Sequence, residues 1–134
     1  MVPIRYALDD LQLKCIGLIT AEWSMVEAVL SVAIWDFCGL DRTRGLSVTA
    51  DLGSLAKISM AKALGQNHFK TGSQHFAEFT AMMDQLETLN SERNIIVHHL
   101  WTPDWFAADS VRGMKASTRR GQLKESKITK RPEN

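Results

Sequence analysis

The side chains with chemical reach gather in one decapeptide, Glu92 to Trp101, which reads Glu-Arg-Asn-Ile-Ile-Val-His-His-Leu-Trp. It sets the guanidinium of Arg93 and the imidazoles of His98 and His99 inside what is otherwise the apolar stripe of a helix. An imidazole titrates near neutral pH and can take or give a proton, whereas a guanidinium stays charged and forks onto phosphate oxygens. Together they make a metal-free kit for phosphodiester cleavage. Histidine takes the proton of a ribose 2′-hydroxyl or donates one to the leaving oxygen, and arginine stabilises the charge developing on phosphorus. On a helix Asn94 and His98 stand about 40° apart and share a face, while Arg93 stands about 140° from His98 and must reach round. The Arg-to-His spacing alone arises by chance roughly 0.7 times in a chain of this composition, so its weight comes from where it lies.

Other chemistries lack their residues. There is no CxxC and no HExxH, and adjacent His98 and His99 diverge by about 100°, so no metal site is expected. No Gly-rich phosphate loop is present, no serine sits in an elbow context, and no cofactor is implied. His68 and His75 flank a loop without ligand spacing and read as solvated. Glu27 lies four residues after Trp23 and three before Leu30, on the apolar side of its helix. It reads as a rim carboxylate, or as an acid that orients a basic group in a central cleft.

The elements that must position Arg93 and His98 follow from periodicity. Leu8 to Phe37 predicts one long helix, with Leu8, Leu11, Cys15, Ile19, Trp23, Val26, Leu30, Ile34 and Phe37 at steps of three and four and Gly39 ending it. Gly17 inside it costs about 1 kcal/mol relative to Ala and predicts a close helix crossing. Asp41 to Ala50 reads as a loop, after which Thr49 or Asp51 caps a second helix that Gly65 stops. Its apolar positions are Leu52, Leu55, Ile58 or Ser59, Ala61 or Lys62, and Leu64. Ser73 caps a third helix running to about Trp101, before Pro103. Along it one line reads Met82, Leu86, Leu89, Arg93, Ile96, Leu100; its neighbour reads Phe79, Met83, Leu86, Asn90, Asn94, Val97, Trp101. Both turn polar at their middle, which forfeits roughly 1.5–3 kcal/mol per aliphatic side chain not buried and calls for a partner network or a site. Val111 to Ile128 reads as an irregular segment or a loose hairpin turning around Arg119 to Gly121. The fold class expected is therefore all-α, an antiparallel bundle of two long helices and one short, with residues 1–104 as the helical domain and 105–134 as a basic tail. Such an arrangement leaves a groove that a fourth helix or a second copy of the chain must cover.

Composition sets the outer bounds. A chain of 134 residues, 45% hydrophobic and 23% charged, suits one soluble domain with a single core. The apolar run from Cys15 to Leu40 matches a membrane span in length, but Glu22, Glu27 and Asp36 interrupt it, each acid near a span's centre costing roughly 2.5–3.5 kcal/mol. No membrane partner is expected. Cys15 and Cys38 lie some 34 Å apart on one helix at about 1.5 Å per residue, too far to bridge. Free thiols and the lack of a secretory signal pattern in Met1 to Asp10 point to the cytoplasm. The net charge of +1 conceals an asymmetry: residues 1–110 carry −5 and residues 111–134 carry +6. The basic tail, with Arg119, Arg120 and Lys124, predicts binding to RNA or to an acidic partner.

At Arg-Asn-Ile-Ile-Val-His-His-Leu-Trp, preceded by a helix bearing Ala-Glu-Trp-Ser-Met-Val-Glu, the chain resembles the HEPN superfamily of small α-helical domains with an RNxxxH motif. The resemblance covers about residues 8–104. Arg93, Asn94 and His98 fall on the family's Arg, polar and His positions. It implies a metal-independent endoribonuclease, a toxin or antiviral effector working as a homodimer across the faces bearing Arg93 and Trp101, with an antitoxin or regulatory protein as partner. In that reading His98 and Arg93 are catalytic and Asn94, His99 and Glu27 support them. Other members of the family bind nucleotides or partners without cleavage, which gives the alternative of a non-catalytic binding module. A purely structural helix bundle, with Arg93 paired to Glu27 or Glu22, is the third reading. The family's usual bundle has a further helix after the motif helix; here either the chain is cut short or dimerisation covers the groove.

Overall fold

The computed structural model describes residues 8–103, 110–116 and 123–129. The chain divides into two units, residues 21–92 and residues 1–20 with 93–134.

The first unit is helical. It holds the later part of α1 (Asp10–Cys38), α2 (Arg42–Thr49), α3 (Ser54–His68) and most of α4 (Gln74–His98). Trp23 meets Ser54 and Phe37 meets His68, so α1 and α3 run parallel. Gly65 faces Phe79 and Lys62 bonds Asp84, so α3 and α4 run antiparallel. Parallel neighbours need a crossover between them, and the stretch containing α2 supplies it. Trp23, Leu30 and Ile34 of α1, Ile58 and Ala61 of α3, and Phe79 and Met83 of α4 form the core. Each fully buried aliphatic or aromatic side chain among them contributes roughly 1.5–3 kcal/mol.

Polar groups also join these helices. The Trp23 indole N–H donates to Ser54 Oγ at 3.0 Å, and the Ser54 hydroxyl donates to the Glu27 carboxylate. That pins the first turn of α3 to α1. The Trp35 indole donates to Thr49 Oγ1 at 3.1 Å, and its ring lies over Gly45, where a Cβ would collide with it. Lys62 Nζ reaches Asp84 Oδ1 at 2.6 Å and Glu87 Oε1 at 3.3 Å. The hydrogen bond to Asp84, then that to Glu87, holds the Lys62 ammonium above the usual lysine range.

The long helices begin and end close to where their residues predict. Gly39 takes φ +65° after α1, and the Ser73 hydroxyl accepts the Phe76 N–H at 3.2 Å at the start of α4. Five expectations in this unit are corrected. Residues 42–49 are not loop but α2, nucleated by Asp41, whose carboxylate accepts the Arg44 N–H at 3.0 Å. The helix after it starts from Gly53, not from Thr49 or Asp51. It also passes through Gly65 to His68, because Gly65 is buried against the Phe79 ring where no Cβ fits. On α3, Leu55 is exposed and Ala61, not Lys62, takes the core position. On α4 the buried line is Phe79, Met83 and Asn90, while Met82 and Leu89 are each 49% exposed.

The second unit opens with a reciprocal cap on α1: the Asp9 N–H donates to Gln12 Oε1 at 2.9 Å and the Gln12 N–H to Asp9 Oδ1 at 2.8 Å. Leu11 is 69% exposed and Cys15 is exposed, and among the described residues nothing lies within 4 Å of a Cβ placed on Gly17, so no described helix makes the expected crossing there. Among the described residues α1 is long and apolar enough to cross a membrane, with only 17% of its most apolar window buried.

After His98 the chain leaves the helix, three residues earlier than expected, and becomes β1 (Leu100–Pro103), β2 (Ser110–Ala116) and β3 (Leu123–Thr129). These form an antiparallel sheet in the order β1-β2-β3. The Trp101 indole donates to the Ile96 carbonyl at 2.9 Å, occupying an acceptor that a continuing helix would offer to its own backbone. Pro103 biases the residue before it towards extended backbone as well. The helical class thus holds for the body, and the tail is more ordered than an irregular segment: the hairpin is present and gains a third strand. The expected turn at Arg119 to Gly121 lies outside the described residues.

Candidate functional site

The last two turns of α4 carry the motif. Arg93 and Asn94 are half-buried and His98 is exposed. Arg93 Nη1 donates to Asn94 Oδ1 at 2.9 Å and lies 3.4 Å from His98 Nε2. The guanidinium therefore does bend round the helix towards the imidazole, and Asn94 holds it there. A guanidinium has no lone pair to offer, so any hydrogen bond between the two has the ring accepting at Nε2. At 3.4 Å the contact is long for a hydrogen bond, close enough for both groups to address one phosphodiester.

A cation and a basic nitrogen side by side, one half-shielded and one open to solvent, can bind an anion and move a proton at it. No protein-family model, no curated protein and no solved structure matches this chain.

The other expected site residues fall in distinct surroundings. His99 is 9% exposed and its ring lies 6.2 Å from that of Trp101, so it is part of the packing where helix passes into strand. Glu27 belongs to the helical unit, where its carboxylate accepts from Ser54. Lys124 lies on β3, paired across the strands with Lys115 of β2. Arg119 and Arg120 lie outside the described residues. The His68 ring lies 5.1 Å from those of both Phe37, tilted, and Phe69, edge-on, and His75 stands 3.9 Å from Glu78. No group of three or more metal-ligating side chains occurs among the described residues.

Two further features lie in the helical unit. Asn90 is 4% exposed on the core line of α4, and its side-chain oxygen has no hydrogen-bond partner among the described residues. The helical unit also has an apolar groove of about 350 Å³, lined by Met25, Val29, Leu30, Phe79, Met82 and Met83 among others. The pairing of Lys115 with Lys124 is a further feature that only strand register reveals, since sequence gives alternation but not which strand positions meet.

Proposed function

We propose that this chain is a metal-independent endoribonuclease of the HEPN type, a toxin or antiviral effector in which His98 moves the proton and Arg93 clamps the phosphate. The observation that carries the reading is the approach of Arg93 Nη1 to His98 Nε2, braced by Asn94. In the reaction the ribose 2′-oxygen attacks phosphorus as its proton passes to an imidazole. The bond from phosphorus to the 5′-oxygen breaks, and that oxygen takes a proton from a protonated imidazole. Arg93 offsets the extra negative charge on the phosphoryl oxygens at the transition state. Products then end in 2′,3′-cyclic phosphate and 5′-hydroxyl, because the nucleophile is the neighbouring hydroxyl and not water.

Two proton transfers, one to and one from an imidazole, suit a homodimer in which each copy brings its own His98 to a shared cleft. An antitoxin or other regulatory protein would cover that cleft. Purified protein incubated with mixed RNA in excess chelator is the test. Cleavage to 2′,3′-cyclic ends that is lost in His98→Ala supports the reading. Cleavage that chelator abolishes, or that His98→Ala retains in full, removes it and leaves a module that binds nucleotides or partners without cutting. Light scattering at micromolar concentration checks the dimer, and a monomer there counts against the shared cleft.

A further inference from the structure

We propose that one face of the three-stranded sheet is a platform for the phosphate backbone of single-stranded RNA, built on the cross-strand pair Lys115–Lys124 beside Trp101. The choice of RNA as the polyanion rests on the ribonuclease reading; the placement of the platform rests on the register.

In an antiparallel sheet, residues that pair across strands share a face, and along each strand the faces alternate. Trp101 pairs with Gly113, and Gly113 with Ser126, to make one row. Two residues along β2 from Gly113 stands Lys115, opposite Lys124, in the next row of the same face. Arg112 pairs with Lys127 on the opposite face. Like charges placed directly opposite destabilise a sheet, and the register pairs positions of like charge twice. Such a pair is relieved when an anion lies across it.

The same face has the other parts that a single-stranded nucleic acid uses. Successive bases stack on aromatic rings beside a basic track, and Trp101 supplies the ring. Its indole is fixed by the hydrogen bond to the Ile96 carbonyl, so it is set in place before any ligand arrives. At the centre of that row stands Gly113, and a glycine inside a strand leaves room for another backbone to come close. The sheet is also covalently continuous with the motif: β1 begins at Leu100, directly after His98 and His99. The opposite face carries Arg112 and Lys127 but not Trp101, so the two faces make different predictions.

The experiment uses the full chain with His98→Ala, so that RNA is bound without being consumed, and a fluorescein-labelled oligouridylate read by anisotropy across a salt series. Neutralising a phosphate contact on a single strand is worth about 0.7 in the slope of log affinity against log salt, so K115Q/K124Q should flatten the slope by about 1.4. At low salt it should weaken binding on the order of tenfold. R112Q/K127Q should leave both quantities nearly unchanged. Lys115→Glu, which places opposite charges across the strands, should keep or raise the melting temperature while RNA affinity falls, which separates binding from folding. Unchanged affinity and slope in K115Q/K124Q overturn the platform. So does an equal loss from R112Q/K127Q, or a polyglutamate peptide that binds in place of the oligouridylate. Should the wild type fail to cleave RNA while K115Q/K124Q still loses binding, the ribonuclease reading falls and the platform stands. Should His98-dependent cleavage be found with the double variant binding as the parent does, the platform alone falls.

Discussion

In the helical unit, polar side chains bridge different helices: Trp23 to Ser54, Ser54 to Glu27, Lys62 to Asp84 and Glu87. At the end of α4 the contacts among Arg93, Asn94 and His98 stay within six consecutive residues. The first kind of bond is made only when the chain folds, and it fixes which helix lies beside which. The second kind forms on any helix that reaches that far, adds little to stability, and leaves an exposed imidazole next to a cation. Placing polar side chains where they do not hold the fold together is what makes them available for chemistry.

The largest effect separating the two regions should be on RNA cleavage. His98→Ala and Arg93→Ala are each expected to lower it by roughly 10²-fold or more, with the helical circular dichroism signal and melting temperature nearly unchanged. If Arg93 instead completes a buried ion pair, its loss strands a charge and costs about 3–5 kcal/mol, so a sharp fall in melting temperature would break the contrast. In the helical unit the expectation reverses. Gly65→Ala, which in an open helix would stabilise by about 1 kcal/mol, should here destabilise by about 1–3 kcal/mol because the new Cβ meets the Phe79 ring. Urea unfolding measures it, and a gain in stability would show that Phe79 is not held where it lies. Catalysis should be indifferent to that change beyond the fraction unfolded.

A smaller effect concerns Asn90, the polar member of the buried line. Asn90→Leu removes a buried carboxamide whose oxygen has no protein partner among the described residues, so it should be neutral or stabilising by about 1 kcal/mol. Loss of RNA cleavage without loss of stability would move Asn90 out of the core's account and into the site's. The smallest effect is that of Lys62. Its raised pKa means that its contribution to stability is complete below the ordinary lysine value of 10.5 and fades as pH rises through the higher folded value. Melting followed from pH 8 to above 11 should therefore show a late alkaline decline that Lys62→Met lacks; an identical decline in both would remove the coupling.

Much of the frame can be read from spacing. The steps of three and four locate α1 and α4, Gly39 and Ser73 mark a stop and a start, and the β-branched tail gives a hairpin. What spacing misses depends on contacts between distant residues. α2 has eight residues without an apolar stripe, and what holds it is Trp35 lying over Gly45. A glycine that ends a helix and one that admits a ring look alike in sequence, which is why Gly65 reads as a stop. Two neighbouring lines on α4 are about equally apolar, so only packing decides that Met83 and Asn90 go in while Met82 and Leu89 stay out. The motif was easier: Arg93, Asn94 and His98 are local to one helix, and helix geometry alone brings them within reach. The partnership of Lys115 with Lys124 was not, because it depends on register.

The contact between Gly65 and Phe79 also bears on the order of folding events. A glycine inside α3 weakens that helix on its own, and an isolated segment of 15 residues is already marginal in water. Docking of Phe79 from α4 fills the space that the missing Cβ leaves, so α3 should gain its full helicity only as the hairpin with α4 closes. That closure joins neighbours in sequence and loses little loop entropy, which makes the α3–α4 pair the natural nucleus onto which α1 then packs.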